Sequence, residues 1–539
     1  MKKKTLSGKM IYFILVLSLL ASVLAISCAK QAPAPAPTPV PTPKPAPTPT
    51  GPQSGGILKI IAPPGLTNIG YPGKAYTAGG TQYVRPAVEF LLSFDPKGTG
   101  NYVPQLATGW QWSSDYLHLT LTLRQGVKFQ DGTDFNAEAV KYNLDLQRVG
   151  ARAELKSVTS IDVIDNYTVR LNLSSYSSAV LQGLCSLCGW IVSPTGLKTM
   201  GDDAQYRPIG TGPFKFVSYD RDISLKFAKW DGYWQKGKPY LDNLEFVFIK
   251  DPVTQLVSFK AGEEQVIKSV NTKDVADLQA AGKYNLVSYP SAAMGMAGDS
   301  AHPSSPFADI RVRRALAYAI DNEAIAKAVG LGMYKAINQP FDPSGPYYNP
   351  KVVGYPYNPQ KAKQLLADAG YPNGFDTTII FESTNSDEVS MFSAVQGYLS
   401  AVGIKAKLDA ADAGRFLQVA SGGWNNHLIY HWAPIARGVP PATTLNNGFI
   451  KKASRYDTKS LWIPDDYDAK YWVATGEPDP VKATAMFQDL SKIIIDDYCL
   501  SVPIMAPFSY LAKTQNVKDL DMLVYAMSEW LPENAWLSK

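Results

Sequence analysis

Histidine and cysteine are scarce: the 539 residues hold four of each. The Cys185-Ser-Leu-Cys188 pair has no second Cys-x-x-C with which to complete a four-thiolate zinc site, so a local disulfide or buried thiols is the reading left for it, with Cys499 elsewhere. The histidines are His118, His302, His427 and His431, and none belongs to a His-Glu-x-x-His helix. His427 and His431 could share a face of a helix or strand, but two ordinary polar positions is the simpler reading. No metal or cofactor is expected. A Gly-x-Ser-x-Gly elbow and a Gly-x-x-x-x-Gly-Lys-Ser/Thr loop are also missing, and no carboxylate pair is singled out. On these residues alone, hydrolysis by an acid/base carboxylate pair stays open.

Acidic residues are absent from residues 1–54, which contain six lysines. The whole chain is +5, so the remaining 539 − 54 = 485 residues carry 5 − 6 = −1. A nearly neutral body offers nucleic acid no electrostatic footprint, and its length suggests two or three domains. Aromatic residues are plentiful, with 30 tyrosines and 11 tryptophans; such side chains fill cores and also line ligand clefts.

Lys2, Lys3, Lys4 and Lys9 precede an apolar run from Met10 to Ile26, the layout of a secretory signal. The run is shorter than the roughly 20 apolar residues of a membrane-spanning helix, and it ends at small residues and Cys28. The pattern resembles a bacterial lipoprotein signal, which implies cleavage before Cys28 and lipid on that residue; Ala25 stands where leucine is usual. An uncleaved anchor is the competing reading. Proline then takes every second position from Pro33 to Pro49. Such a segment cannot form a helix and favours extended polyproline geometry, reaching roughly 60 Å over about 20 residues. The body is expected to be tethered outside the cytoplasmic membrane yet held away from it.

From Gly56 the pattern is globular. "YLHLTLTL" places Leu117, Leu119, Leu121 and Leu123 on one face of a strand. The sequence then turns at Asp131-Gly132 and enters a helix capped by Asn136. Asn358, Pro359 and Gly370 mark the start and stop of a second helix with Ala362, Leu365, Leu366 and Ala369 as its apolar stripe. Gly210, Gly212 and Pro213 read as a tight reversal into a strand. Ile310 opens a helix striped by Val312, Leu316 and Ile320, whose Arg311, Arg313 and Arg314 read as scaffold ion pairs. Strands and helices are interspersed without repeat, so the class is mixed α/β.

Four segments read together carry a resemblance: "VPQLATGWQWSSDYLHLTLTLRQGVKFQDGTDFNAEAVKYNLD" from Val103, "RPIGTGPFKFVSYDRDISLKFAKWDGYWQKGKPYLDNLEF" from Arg207, "SSPFADIRVRRALAYAIDNEAI" from Ser304 and "NPQKAKQLLADAGYPNGFD" from Asn358. In order and spacing the chain resembles the family 5 extracellular solute-binding proteins, the peptide- and nickel-type receptors of ABC importers, from about Gly55 to its end. The resemblance implies a periplasmic-binding-protein-like type II (cluster C) fold, two-lobed with an extra inserted domain. The implied division is a signal at 1–27, a lipid-anchored linker at 28–54, lobe I at 55–89, 205–290 and 500–539, an inserted domain at 90–204, and lobe II at 291–499. A monomer is expected, extracytoplasmic and lipid-anchored, with a small solute or peptide as ligand, ABC permease subunits as partners, and no nucleic acid.

In oligopeptide-binding members of that family an aspartate in a tryptophan-containing segment pairs with the peptide's amino group, and upstream arginines meet its carboxylate. The matching stretch is Gly414 to Leu445, where the aspartate position falls at or near Pro434 and the arginine positions near Ala420 and Leu428. What the segment retains is Trp424, Asn425, Asn426, Tyr430, His431, Trp432 and Arg437. These stack and hydrogen-bond without charge pairing, Arg437 excepted. From lobe I the resemblance adds Tyr76 and Gln82. The expected ligand contacts are thus Tyr76, Gln82, Trp424, Asn425, Tyr430, His431, Trp432 and Arg437. The expected solute is peptide by family. By these residues it is neutral or singly anionic, such as a modified peptide, a glycoside or a small polar metabolite.

Overall fold

The computed structural model describes residues 51–66, 68–72, 81–95, 101–150, 152–268, 270–383, 386–435, 439–451, 456, 459–520, 522 and 530–539. Cys28, Tyr76 and Arg437 lie outside the described residues. Among the described residues no helix is long and apolar enough to cross a membrane.

The described strands build three principal sheets. The first runs Phe214–Asp220, Ser224–Lys229, Asn243–Phe248, Ile57–Ala62, Val266–Lys268, Phe508–Thr514, Tyr284–Pro290 in spatial order. The second runs Lys335–Ala336, Val502–Ala506, Ala292–Gly298, Leu428–Pro434, Asp376–Glu382, Lys405–Ala411. A four-stranded antiparallel sheet, Ala107–Trp112, His118–Leu123, Thr168–Leu173, Val158–Asp165, stands apart from both. The mixed α/β class follows directly.

The first two sheets are joined twice. Tyr284–Pro290 leaves the first sheet and continues as Ala292–Gly298 in the second, while Val502–Ala506 returns as Phe508–Thr514. One residue separates the strands in each passage, Ser291 in one and Pro507 in the other. The apolar faces differ across this junction. One core contains Ile61, Ile267 and Ala512 of the first sheet together with Met294, Ile379, Ile429 and Ile504 of the second. The opposite face of the first sheet, carrying Leu58, Ile60, Val266 and Leu511, packs in a separate core. Alternation along each strand sends neighbours to opposite faces, so the crossing is bridged by apolar packing on one face only.

The local signals act as their chemistry dictates. Leu119, Leu121 and Leu123 are buried on the four-stranded sheet. Helix Ala137–Val149 starts where Asn136 accepts a hydrogen bond from the Ala139 amide, 3.0 Å. Asn358 caps Pro359–Asp368 through the Lys361 amide, 2.9 Å, and Ala362 and Leu366 bury its stripe. Gly210 and Gly212 are needed for a different reason than a reversal. Each lies against the 86–88 backbone, where a Cβ on Gly212 would meet the Ala87 carbonyl carbon at 2.6 Å, and the Gly212 amide donates to the Ala87 carbonyl, 3.0 Å. Gln130 ties the same place together, its side-chain amide donating to the Gly212 and Phe214 carbonyls at 3.0 and 2.8 Å.

The arginines of helix Ile310–Ala319 divide. Arg311 pairs with its N-cap Asp309 at 2.5 Å. Among the described residues Arg313 and Arg314 form no ion pair: buried Arg313 donates to the carbonyls of Phe307, Ala308, Tyr498 and Cys499, and Arg314 to those of Asp496 and Asp497. The planar guanidinium fork satisfies chain ends that would otherwise leave buried carbonyls unpaired. Cys185, Cys188 and Cys499 are buried and joined by no disulfide among the described residues, and burial pushes the Cys499 thiol up to about 11.

Candidate functional site around the strand crossing

Ser291 and Pro507 define the centre. The Ser291 amide and hydroxyl both donate to the Pro507 carbonyl, at 3.0 and 3.1 Å. Pro290 pairs with Phe508 on one side and Ala292 with Pro434 on the other. Register then fixes which strand ends meet here. Lys268 pairs with Leu511 and Val266 with Lys513, so Val266–Lys268 runs toward the crossing; the parallel strand Ile57–Ala62 points the same way. Leu428–Pro434 also ends at the crossing, with Leu428 opposite Gly298 at its far end.

That direction separates the expected contacts. Pro434 and Trp432 lie at the crossing end and are half-buried. The Trp432 amide donates to the Tyr456 hydroxyl at 3.2 Å, and its carbonyl accepts from the Asn447 side chain at 2.6 Å. The Thr444 hydroxyl donates to the Pro434 carbonyl at 2.7 Å. Asn447, Thr444 and Tyr456 therefore hold the end of this strand. Their sequence signal, a polar run after "PP", gave no sign of it.

Trp424 and Asn425 lie at the other end, about 20 Å away along the strand. Trp424 is wholly buried and donates its indole N–H to the Ala420 carbonyl, 3.1 Å. Asn425 and Asn426 are exposed with φ of 49° and 63°, and the Asn426 amide donates to the buried Asp299 carboxylate, 2.8 Å. This end is a turn built around Asp299, which also meets His302 at 2.6 Å. Ala420 and Leu428, the positions expected to carry arginines, are both fully buried.

Tyr430 and His431 also face inward. Tyr430 packs against Phe392 and Phe416, ring centres 5.9 and 6.1 Å away. His431 is enclosed by Phe449 and Tyr456 at 4.6 and 4.5 Å, and its Nδ1 lies 3.3 Å from the Ser501 hydroxyl. A Cβ on Gly448 would sit 2.2 Å from its Nε2, so glycine is what lets that loop close over the ring. His427 sits in the Asp299 turn, apart from His431 in the strand. Among the described residues no group of three or more histidine, cysteine or acidic side chains is placed to hold a metal ion.

From the first sheet come Gln82 and a residue that sequence reasoning passed over, Lys268. The Lys268 ammonium donates to the Gln82 side-chain oxygen, and the Gln82 carbonyl accepts from the Trp530 indole at 3.0 Å. Tyr289 and Ser509 pair in register one strand further on. Burial raises the Tyr289 phenol against an opposing hydrogen bond to Ser509. Lys268, Tyr289 and Ser509 alternate onto the face of Val266 and Leu511, not onto the face shared with the second sheet's core. Near the crossing, that face turns from apolar to polar. The available signal was a lone lysine in the run "QVIKSV".

A deeper polar knot braces this side of the sheet. Buried Glu89 accepts from Thr211, Tyr233 and Trp234 at 2.8, 3.0 and 2.9 Å. Desolvation, reinforced by the neighbouring Glu533 carboxylate, pushes Glu89 up to about 7. Arg85 links the knot to Gln105 and to the Trp530 carbonyl.

Comparison with known proteins places this architecture. Residues 101–452 match the middle region of the bacterial extracellular solute-binding proteins, family 5. The chain belongs to that family. Among its relatives, the glutathione-binding protein GsiB of Salmonella typhi is 35% identical over 321 residues, covering 58% of this chain and 61% of the relative. The chain thus spans about 61% of the length of the curated relatives it matches. Among solved structures, the substrate-binding protein CtaP of Listeria monocytogenes superposes with a TM-score of 0.79 at 18% identity, covering 90% of this chain and 100% of that one. AgaA of A. tumefaciens R10, solved with agropinic acid, gives 0.70 at 26% identity over 90% and 99% of the two chains. The family 5 fold is therefore a type II periplasmic binding fold here, with the twice-crossed pair of sheets at its centre.

Proposed function

We propose that this protein is the extracytoplasmic receptor of an ABC importer, capturing a peptide-like solute between two lobes that close about the Ser291–Pro507 crossing. The observation that carries the reading is the double strand passage in a family of solute-binding proteins: two sheets joined by two single-residue links can swing as bodies, and solute bound to both sheets favours the closed arrangement. On this reading lobe I comprises 55–89, 205–290 and 500–539, the inserted domain 90–204, and lobe II 291–499. Lipid on Cys28 and the proline-rich spacer keep the receptor beside its permease, where tethering raises effective concentration. It works as a monomer and performs no chemistry on its cargo.

The proposed solute is a modified peptide of net charge −1; glutathione is the probe of choice, because its ammonium and one carboxylate sit on the same carbon and compensate each other, leaving one carboxylate to be met. Two features support it. Pro434, Ala420 and Leu428 supply neither the aspartate nor the arginines that a buried peptide with widely separated charged termini requires, and leaving such termini unpaired costs several kcal/mol. A relative at 35% identity is named for binding glutathione, and a solved neighbour at 26% holds agropinic acid. Of the expected contacts, Trp432 and Gln82 flank the crossing and are retained. Tyr76 and Arg437 remain proposals, while Trp424, Tyr430 and His431 serve the core. Isothermal titration with glutathione, trialanine and N-acetyl-trialanine tests the reading: glutathione binds and trialanine does not. Submicromolar binding of trialanine that N-acetylation abolishes overturns it.

A further inference from the structure

The polar patch on the first sheet contains one charge that no described carboxylate answers. Lys268 is half-buried, its ammonium has the neutral Gln82 side chain as hydrogen-bond partner, and among the described residues no carboxylate stands within ion-pair distance of it. Two buried arginines are met by other groups. Arg313 spends its guanidinium on four carbonyls, and Arg85 lies beside the Glu89 and Glu533 carboxyls. An ammonium taken out of water without a counter-charge is destabilising, and the environment of Lys268 registers that cost: burial pushes its pKa down to about 8. Such a residue gains a counter-charge when an anion from outside the chain reaches it.

Its position says what that is. Lys268 ends the strand Val266–Lys268 at the crossing, on the face away from the core shared by the two sheets. Tyr289 and Ser509 add hydroxyls on the same face. An ammonium with three donors reads a compact anionic oxygen group, and hydroxyls beside it complete the coordination. We infer that Lys268, with Gln82 orienting it, is the anion-reading residue of the first lobe, and that it pairs with a carboxylate of the captured solute. This rests on the receptor reading and sharpens it: the one uncompensated carboxylate proposed for the solute meets the Lys268 ammonium.

Two measurements on the full chain decide it. In protein carrying lysine labelled with ¹³C at Cε, the Lys268 resonance, assigned by its loss in Lys268→Met, is followed as acetate is added, with acetamide at equal concentration and ionic strength as control. A saturable shift with acetate alone is expected. No shift, or the same shift with acetamide, overturns the inference whatever glutathione does. The second measurement is the unfolding temperature of the empty protein. Lys268→Met removes an unanswered charge and keeps the volume, so it raises the midpoint; a lysine that merely supports the sheet would lower it when replaced, and that result contradicts the inference. In titrations with glutathione, Lys268→Met weakens binding about tenfold or more. If wild-type protein ignores glutathione but shows the acetate shift, the choice of solute fails and the anion site stands.

Discussion

The Ser291 amide and hydroxyl converge on one acceptor, the carbonyl of Pro507, so the two strands that pass between the sheets are tied to each other at the point where each changes sheet. The passages are single residues and Pro507 has no amide to offer in return, which leaves Ser291 as the donor side of the joint.

Removing that joint in steps gives a graded outcome. Ser291→Ala deletes the hydroxyl and leaves the amide, costing about 0.5–1.5 kcal/mol; Ser291→Pro deletes both donors, strands a partly buried carbonyl and costs about 1–3 kcal/mol. Urea unfolding measures both. Equal, negligible effects would mean that water replaces the serine freely and that the crossing is not held by this contact.

Glu89 makes stability depend on pH in a definite direction. Its carboxyl is raised from 4.5 to about 7 in the folded protein, so the folded state holds a proton that the unfolded chain releases. The contribution is fully present below pH 4.5, is lost as the pH climbs to about 7 and is constant above it. It amounts to something on the order of 3 kcal/mol. Glu533 is raised as well, chiefly by burial, and acts in the same sense. Thermal unfolding between pH 4.5 and 7 should show Glu89→Gln losing most of the decline seen in the unsubstituted protein. A parallel decline in both would assign the effect elsewhere.

Much of the scaffold was legible because its signals are local. Asn136 and Asn358 cap helices, and the leucines of "LHLTLTL" alternate, through chemistry confined to a few neighbouring residues. The site was less so, for a geometric reason. In Leu428–Pro434 every residue is polar, aromatic or apolar without clean alternation, and both faces of the strand are covered, so sequence could not tell that Tyr430 and His431 point into packing while Trp432 and Pro434 reach the crossing. Trp424 was grouped with Trp432 by proximity in sequence, yet the strand between them carries them to opposite ends. Gly212 looked like a turn residue because its requirement is set by Ala87, more than a hundred positions away. Lys268 gave no motif, since its meaning comes from Gln82 and the polar face it shares with Tyr289 and Ser509, which only the sheet brings together.

The tether is tested at the N-terminus. Mass spectrometry of membrane-extracted protein should find Cys28 as the first residue and carrying lipid, and Cys28→Ser should shift the protein from the membrane fraction to the soluble one. An unmodified Cys28 within an intact leader would contradict the tether.

Lobe closure is the central claim, and small-angle X-ray scattering of the full chain with and without saturating glutathione tests it most directly. The account predicts a smaller radius of gyration in the bound state, accompanied by stabilisation of about 2.7 kcal/mol at a hundredfold excess over the dissociation constant. A radius of gyration that stays the same at proven saturation would contradict closure about the Ser291–Pro507 crossing.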